Sequence, residues 1–161
     1  MVKDSQAFAQ ELNLPDVAAT AALGARIAAG LSPGDLVALE GDIGAGKTTL
    51  ARAILRSLGV TEDVPSPTFT LVQLYETPAL TVRHYDLYRI ENANEIAELG
   101  IDEAVEDGVA LVEWPERADG RLPGALLHVG LRATDANGRT ALLSGPAKWA
   151  RIFEESLTHA G

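Results

Sequence analysis

Residues 36–48 read Leu-Val-Ala-Leu-Glu, then Gly-Asp-Ile-Gly-Ala-Gly, then Lys-Thr. No other stretch limits the possible folds as much. Leu36-Val37-Ala38-Leu39 is a short apolar run of the length of a buried strand. The octapeptide Gly41-Asp42-Ile43-Gly44-Ala45-Gly46-Lys47-Thr48 fits G-x-x-x-x-G-K-[ST] at every fixed position. Beyond it, Leu50, Ile54, Leu55 and Leu58 recur at the spacing of one helix face. A strand, a glycine-rich turn and a helix in that order make a cradle for phosphates. The glycines let the backbone curl so that successive N–H groups point inward. The helix N-terminus adds the positive end of its dipole. Lys47 is expected to place its charge on the β- and γ-phosphates, and the Thr48 hydroxyl to coordinate Mg²⁺. Thr49 is either a plain helix residue or a contact to the α-phosphate. The expected binding set is therefore Asp42, Ile43, Gly44, Ala45, Gly46, Lys47, Thr48 and Thr49.

The rest of the chain alternates in the same manner. Val17, Ala21, Gly24, Ile27, Ala28 and Leu31 form one stripe, which predicts a helix over 17–30. Ser32-Pro33-Gly34-Asp35 reads as a turn. The prolines of Val64-Pro65-Ser66-Pro67 require an extended segment. Strands at 70–76 and 80–88 around Thr77-Pro78-Ala79 predict an antiparallel hairpin. An acidic helical stretch over 92–107 breaks at Gly100, and Val109-Ala110-Leu111-Val112 is a second buried-type strand. A second hairpin is expected at 126–132 and 140–144, across Asp135-Ala136-Asn137-Gly138. An amphipathic helix over 148–157 closes the chain, with Trp149, Ile152, Phe153 and Leu157 as core. This pattern predicts one α/β domain over residues 1–161: a three-layer P-loop NTPase fold with a mixed, mostly parallel central sheet.

Composition narrows the function. Thirteen Lys and Arg against 23 Asp and Glu give a formal net charge of -10 and a pI near 4.6. Such a surface repels a polyphosphate backbone, so autonomous binding of DNA or RNA is not expected. The absence of cysteine excludes disulfides, thiolate metal sites and a thiol nucleophile. The opening residues carry no apolar core of a secretory signal. No apolar run approaches the roughly 18 residues of a membrane span. A cytoplasmic location without membrane contact is the expectation.

A phosphate loop needs a carboxylate to help hold Mg²⁺, usually at the end of an apolar strand. Glu113 ends the run 109–112, and Asp86 ends the more polar run Arg83-His84-Tyr85. Glu113 fits the metal role better because the strand before it is apolar. Asp86 would then act one step removed from the metal or polarise the attacking water. His84 reads as a packed or hydrogen-bonded histidine. The acids Glu91, Glu95, Glu98, Asp102, Glu103, Glu106 and Asp107 read as a solvated face.

Taken in order, the phosphate loop, Ser66-Pro67-Thr68-Phe69, His84-Tyr85-Asp86-Leu87-Tyr88-Arg89, Glu98-Leu99-Gly100 and Glu113-Trp114-Pro115-Glu116 resemble the TsaE (YjeE) family. That family supplies the ATPase of bacterial tRNA threonylcarbamoyladenosine biosynthesis. The resemblance spans nearly the whole chain, and the segments around the loop are far more specific than the loop itself. It implies ATP bound by Lys47 and its loop, and Mg²⁺ held by Thr48 and Glu113. It implies that Asp86 is the essential acid and that Thr68 lies in a switch-like segment sensing the γ-phosphate. It places Trp114 beside the nucleotide, Thr20 near its base side, and Arg139 as a further nucleotide contact. The implied partners are TsaD and TsaB, which hold the tRNA and transfer the group, with this chain as the energy-using accessory.

Alternative readings are a small P-loop kinase, a GTP-dependent switch, and a nucleotide-dependent assembly module without useful turnover. No dense arginine cluster supports a kinase lid, and no N-K-x-D segment supports guanine reading. Arg89 and Arg117 are candidates for an arginine finger, neither with a motif behind it. Slow turnover alone and faster turnover in a partner complex follow as the expectation.

Overall fold

The chain builds its core from alternation inside short apolar strands. The computed structural model describes residues 8–65, 67, 71–134 and 138–153. In chain order these form β1 (Phe8–Leu14), α1 (Val17–Gly30), β2 (Asp35–Glu40), α2 (Lys47–Ser57), β3 (Val72–Glu76), β4 (Thr81–Asp86), α3 (Ile101–Asp107), β5 (Val109–Glu113), β6 (Ala125–Ala133) and β7 (Arg139–Gly145). Two 3-10 helices lie at Ala93–Leu99 and Pro115–Ala118. Residues 148–153 are helical.

The seven strands make one sheet in the order β1-β7-β6-β2-β5-β4-β3. The central strands β6, β2, β5 and β4 run parallel. Antiparallel pairing adds β3 on one edge and β7 with β1 on the other. The sheet is thus mixed, with a parallel centre, as the alternation of helices and strands predicts.

Side chains of β2 point alternately to two cores. Val37 and Leu39 pack with Leu23 and Ile27 of α1 and Leu50, Ile54 and Leu55 of α2. Leu36 and Ala38 pack on the opposite face with Ile96, Ile101 and Ala104. The result is three layers. Strand β5 is buried along its whole length, which its unbroken apolar run requires. Helix α1 starts at Asp16, whose side chain accepts a 2.9 Å hydrogen bond from the Ala19 amide. Gly24 lets α1 and α2 approach closely, since a Cβ there would lie 2.5 Å from the Ala53 Cβ.

Both hairpins form where expected, and α1 spans the predicted residues. Strand β1 was not expected from the sequence. Its residues Phe-Ala-Gln-Glu-Leu-Asn-Leu alternate weakly, and it pairs with β7 alone at the sheet edge. The acidic stretch after Asn92 opens as a 3-10 helix and not as α-helix. Only Ile96 of that segment is buried, so packing does little to fix an α-helix there. Its acids are solvent-exposed, as are those of α3. Trp149 and Phe153 are core residues. Thr70, Asp135 to Asn137 and Leu157 lie outside the described residues. No helix among the described residues is long and apolar enough to cross a membrane.

The parallel centre sets the site. It aligns the carboxyl ends of β2, β5 and β4, so Glu40, Glu113 and Asp86 end their strands along one rim. In an open α/β sheet, ligands bind in the crevice outside those ends.

Candidate functional site

The loop between β2 and α2 closes as a tight turn, with the Ala45 amide bonded to the Asp42 carbonyl at 3.0 Å. Gly46 has φ +107° and caps α2, a left-handed conformation that favours glycine. Lys47 is the first residue of α2, and its side chain turns back over the loop. Its Nζ donates to the Gly41 carbonyl at 2.5 Å and the Asp42 carbonyl at 3.1 Å. The ammonium also lies 4.2 Å from the centre of the Trp114 ring. Lys47 is only 6% exposed. Burial lowers its pKa below the ordinary lysine value, while Glu113, Glu116, Asp86 and Asp42 oppose that shift. The acids mark the place as one that favours positive charge.

Thr48, one residue on, donates from its hydroxyl to the Glu113 carboxylate, with 3.0 Å to each oxygen. His84 Nε2 lies 2.8 Å from Glu113 Oε2. Asp86 sits opposite Glu113 in the β4–β5 register. The two carboxylates are 4% and 2% exposed respectively. Asp86 Oδ1 accepts from the Tyr88 amide at 2.9 Å, which fixes the chain as it leaves β4. No group of three or more His, Cys, Asp or Glu among the described residues is placed to hold a metal. A hydroxyl paired with one carboxylate is nonetheless a hard-oxygen donor set suited to Mg²⁺. That ion keeps several waters and takes its remaining ligands from substrate phosphates. The residues present fit the group.

The walls are aromatic and basic. Trp114 has φ +60°, a strained backbone for a bulky residue, and this turns the chain directly after Glu113. Its ring packs on Tyr88 with centroids 4.8 Å apart. The Arg117 guanidinium lies 5.6 Å from the other ring of that pair, Tyr88. From β7, Arg139 reaches back to the loop: its Nε donates to the Ala45 carbonyl at 2.8 Å and its Nη2 to the Gly44 carbonyl at 3.3 Å. Trp114, Tyr88 and Arg139 line a cleft of about 390 Å³ with the loop, and Arg117 lies behind Tyr88.

Most of the expected set converges on this cleft. Ile43, Gly44, Gly46, Lys47, Thr48, Thr49, Asp86, Glu113, Trp114 and Arg139 all line it. Ala45, Thr20 and Thr49 line a small adjoining pocket with Gly46 and Arg139. Asp42 faces a larger trough of about 950 Å³ on the other side of the loop, over β1, β6 and β7. That trough holds neither Lys47 nor Glu113, both of which line the smaller cleft. Thr68 lies outside the described residues. Two neighbours of the site, Tyr88 and Glu116, were not assigned from sequence, while His84 is the packed and hydrogen-bonded histidine expected. Tyr88 packs at a tilt against Trp114, Glu116 adds to the field at Lys47, and His84 is bonded to Glu113. Tyr88 was legible as the residue two beyond Asp86, but its aromatic partner was not.

Comparison with known proteins identifies a family and a fold. The family model described as "Threonylcarbamoyl adenosine biosynthesis protein TsaE" matches residues 14–141. The tRNA threonylcarbamoyladenosine biosynthesis protein TsaE of Rickettsia prowazekii is 44% identical over 110 residues, 68% of this chain and 76% of that protein. The protein of the same name from Bacillus subtilis is 37% identical over 142 residues, 87% of this chain and 89% of that protein. The crystal structure of YdiB from Bacillus subtilis superposes with a TM-score of 0.78 at 29% identity, covering 96% of this chain and 97% of that one.

Proposed function

The chain belongs to the TsaE family of threonylcarbamoyladenosine biosynthesis proteins, and from that premise we propose that it is an Mg²⁺-dependent ATPase. In this reading it hydrolyses ATP to ADP and phosphate in the cytoplasm and acts with a TsaD–TsaB pair that modifies tRNA. One observation carries the reading: the Thr48 hydroxyl and the Glu113 carboxylate meet directly beside the Lys47 loop. A phosphate loop without an acid at that place would have no partner for the metal.

Each residue then has a task. The loop amides and the start of α2 cradle the phosphate oxygens. Lys47 exchanges the Gly41 and Asp42 carbonyls for the β- and γ-phosphates, and so moves from neutral acceptors to anions. Thr48 and Glu113 would hold Mg²⁺, which would supply positive charge to offset that of the phosphates. Asp86, buried beside Glu113, orients the attacking water. The water oxygen bonds to the γ-phosphorus, and the bond from that phosphorus to the bridging oxygen breaks. ADP leaves with the electron pair, and the water proton passes to solvent. Trp114 and Tyr88 exclude bulk water from one side of the cleft.

Arg139 is engaged by the loop carbonyls. Arg117 donates to the Ile90 carbonyl and lies against Tyr88. Slow turnover alone, and faster turnover with a guanidinium supplied by a partner, is the expected result. The net charge of -10 agrees with tRNA being held by the partners. Phosphate release measured on the purified chain should rise about tenfold or more when TsaD and TsaB are added. A rate unchanged by the pair would refute the partnership. Transfer of phosphate to an added acceptor, without release, would replace the hydrolase reading with a kinase.

A further inference from the structure

We infer that His84 is a positioning residue: it fixes the Glu113 carboxylate in the orientation that receives the metal. The inference rests on the proposed role of Glu113 and extends it to a side chain that no other step uses. His84 lies in β4, paired with Leu111 of β5, and is fully buried. Its Nε2 reaches Glu113 Oε2 at 2.8 Å across 29 residues of sequence. Its Nδ1 is buried and has no hydrogen-bond partner among the described residues. An ionised carboxylate only accepts, so Nε2 carries the proton and donates. That assignment leaves Nδ1 as a bare lone pair. The opposite tautomer would bury an N–H with nothing to receive it and set two acceptors against each other.

Glu113 is thus held from two sides. Thr48 bridges both of its oxygens, and His84 grips Oε2 from within the sheet. The two contacts differ in what a bound metal does to them. The Thr48 hydroxyl would turn a lone pair to the ion, which fixes its direction, and can still donate its one proton to Glu113. The His84 contact faces the protein interior and can persist. Glu113 would then depend on His84 as the one contact to its carboxylate that the ion leaves unchanged. An acceptor ligand held by such an outer hydrogen bond binds its ion more tightly, and loss of the bond costs about 10- to 100-fold in metal affinity.

The test compares substitutions that differ in reach. In H84Q the amide nitrogen falls near the place of Nε2 and can still donate to Glu113. In H84N the nitrogen falls short, and H84L has no donor. ATP binding is followed by calorimetry over a range of Mg²⁺ concentrations and in EDTA. H84L and H84N should raise the half-saturating Mg²⁺ concentration by about tenfold or more, with ATP affinity in EDTA unchanged. H84Q should stay within about threefold of the wild-type chain. If H84L does not fold, the H84N and H84Q pair decides, because both keep a buried amide. Equal Mg²⁺ dependence in H84N and H84Q, or a folded H84L that behaves as wild type, overturns the role of His84 alone. A wild-type chain whose ATP binding ignores Mg²⁺ overturns the metal role of Glu113, and that of His84 with it.

Discussion

Replacing Lys47 with alanine is expected to lower ATP hydrolysis by about 100- to 1,000-fold and leave the chain folded. The ammonium is the one cation that the loop itself presents to the phosphates. Without it the cleft keeps the acids Glu113, Glu116 and Asp86 around a tetra-anionic ligand. Repulsion then acts on the ground state as well as the transition state, so ATP binding weakens along with turnover. The fold should tolerate the change. The side chain contacts two loop carbonyls and the face of Trp114, all of which water can reach once the ammonium is gone. Lys47→Arg is not expected to rescue it. A planar guanidinium does not fit between the Gly41 carbonyl and the Trp114 ring, where the compact ammonium sits. Phosphate release and a thermal melt of the same preparation check both halves. Turnover near the wild-type level in a folded K47A chain would refute the site.

Glu113→Gln carries the second large effect. The amide keeps the volume and one acceptor oxygen, so Thr48 and His84 retain a partner and the sheet remains intact. What disappears is the negative charge. Hydrolysis at saturating ATP should fall by about 100-fold, and raising Mg²⁺ should restore part of it. Glu113→Ala should be worse on a second count. It leaves His84 Nε2 buried with no acceptor, at a cost of about 1–3 kcal/mol of stability. The two variants therefore separate charge from structure: similar activity losses with different unfolding midpoints are expected. A Glu113→Gln chain with wild-type Mg²⁺ dependence would place the metal elsewhere.

Local signals carried far in this chain. The apolar run before Gly41, the glycines and the Leu50, Ile54, Leu55 stripe define strand, loop and helix without any long-range information. The turn at Ser32-Pro33 marks the end of α1 just as clearly, whereas its Asp16 cap emerged from the structure. What stayed hidden depends on which strands become neighbours. Asp86 and Glu113 each read as a strand-end acid, but their adjacency follows from β4 pairing in parallel with β5. The bond from His84 to Glu113 has the same origin. Arg139 contacts Ala45 across 94 residues, which no periodicity announces. Strand β1 illustrates the limit from the other side. Gln10 interrupts its alternation of Phe8, Leu12 and Leu14, and its partner β7 lies far away in sequence. The side-chain direction of Lys47 was also beyond sequence, since the motif gives its destination with phosphate bound and not its resting contacts.

The most direct test of the account is a calorimetric titration of the wild-type chain with ATP, in Mg²⁺ and again in EDTA. The geometry of Lys47, Thr48 and Glu113 predicts one ATP per chain, bound about tenfold or more tightly with Mg²⁺ than without it. No binding, or binding of equal strength in both buffers, would contradict a nucleotide and metal site at this cleft.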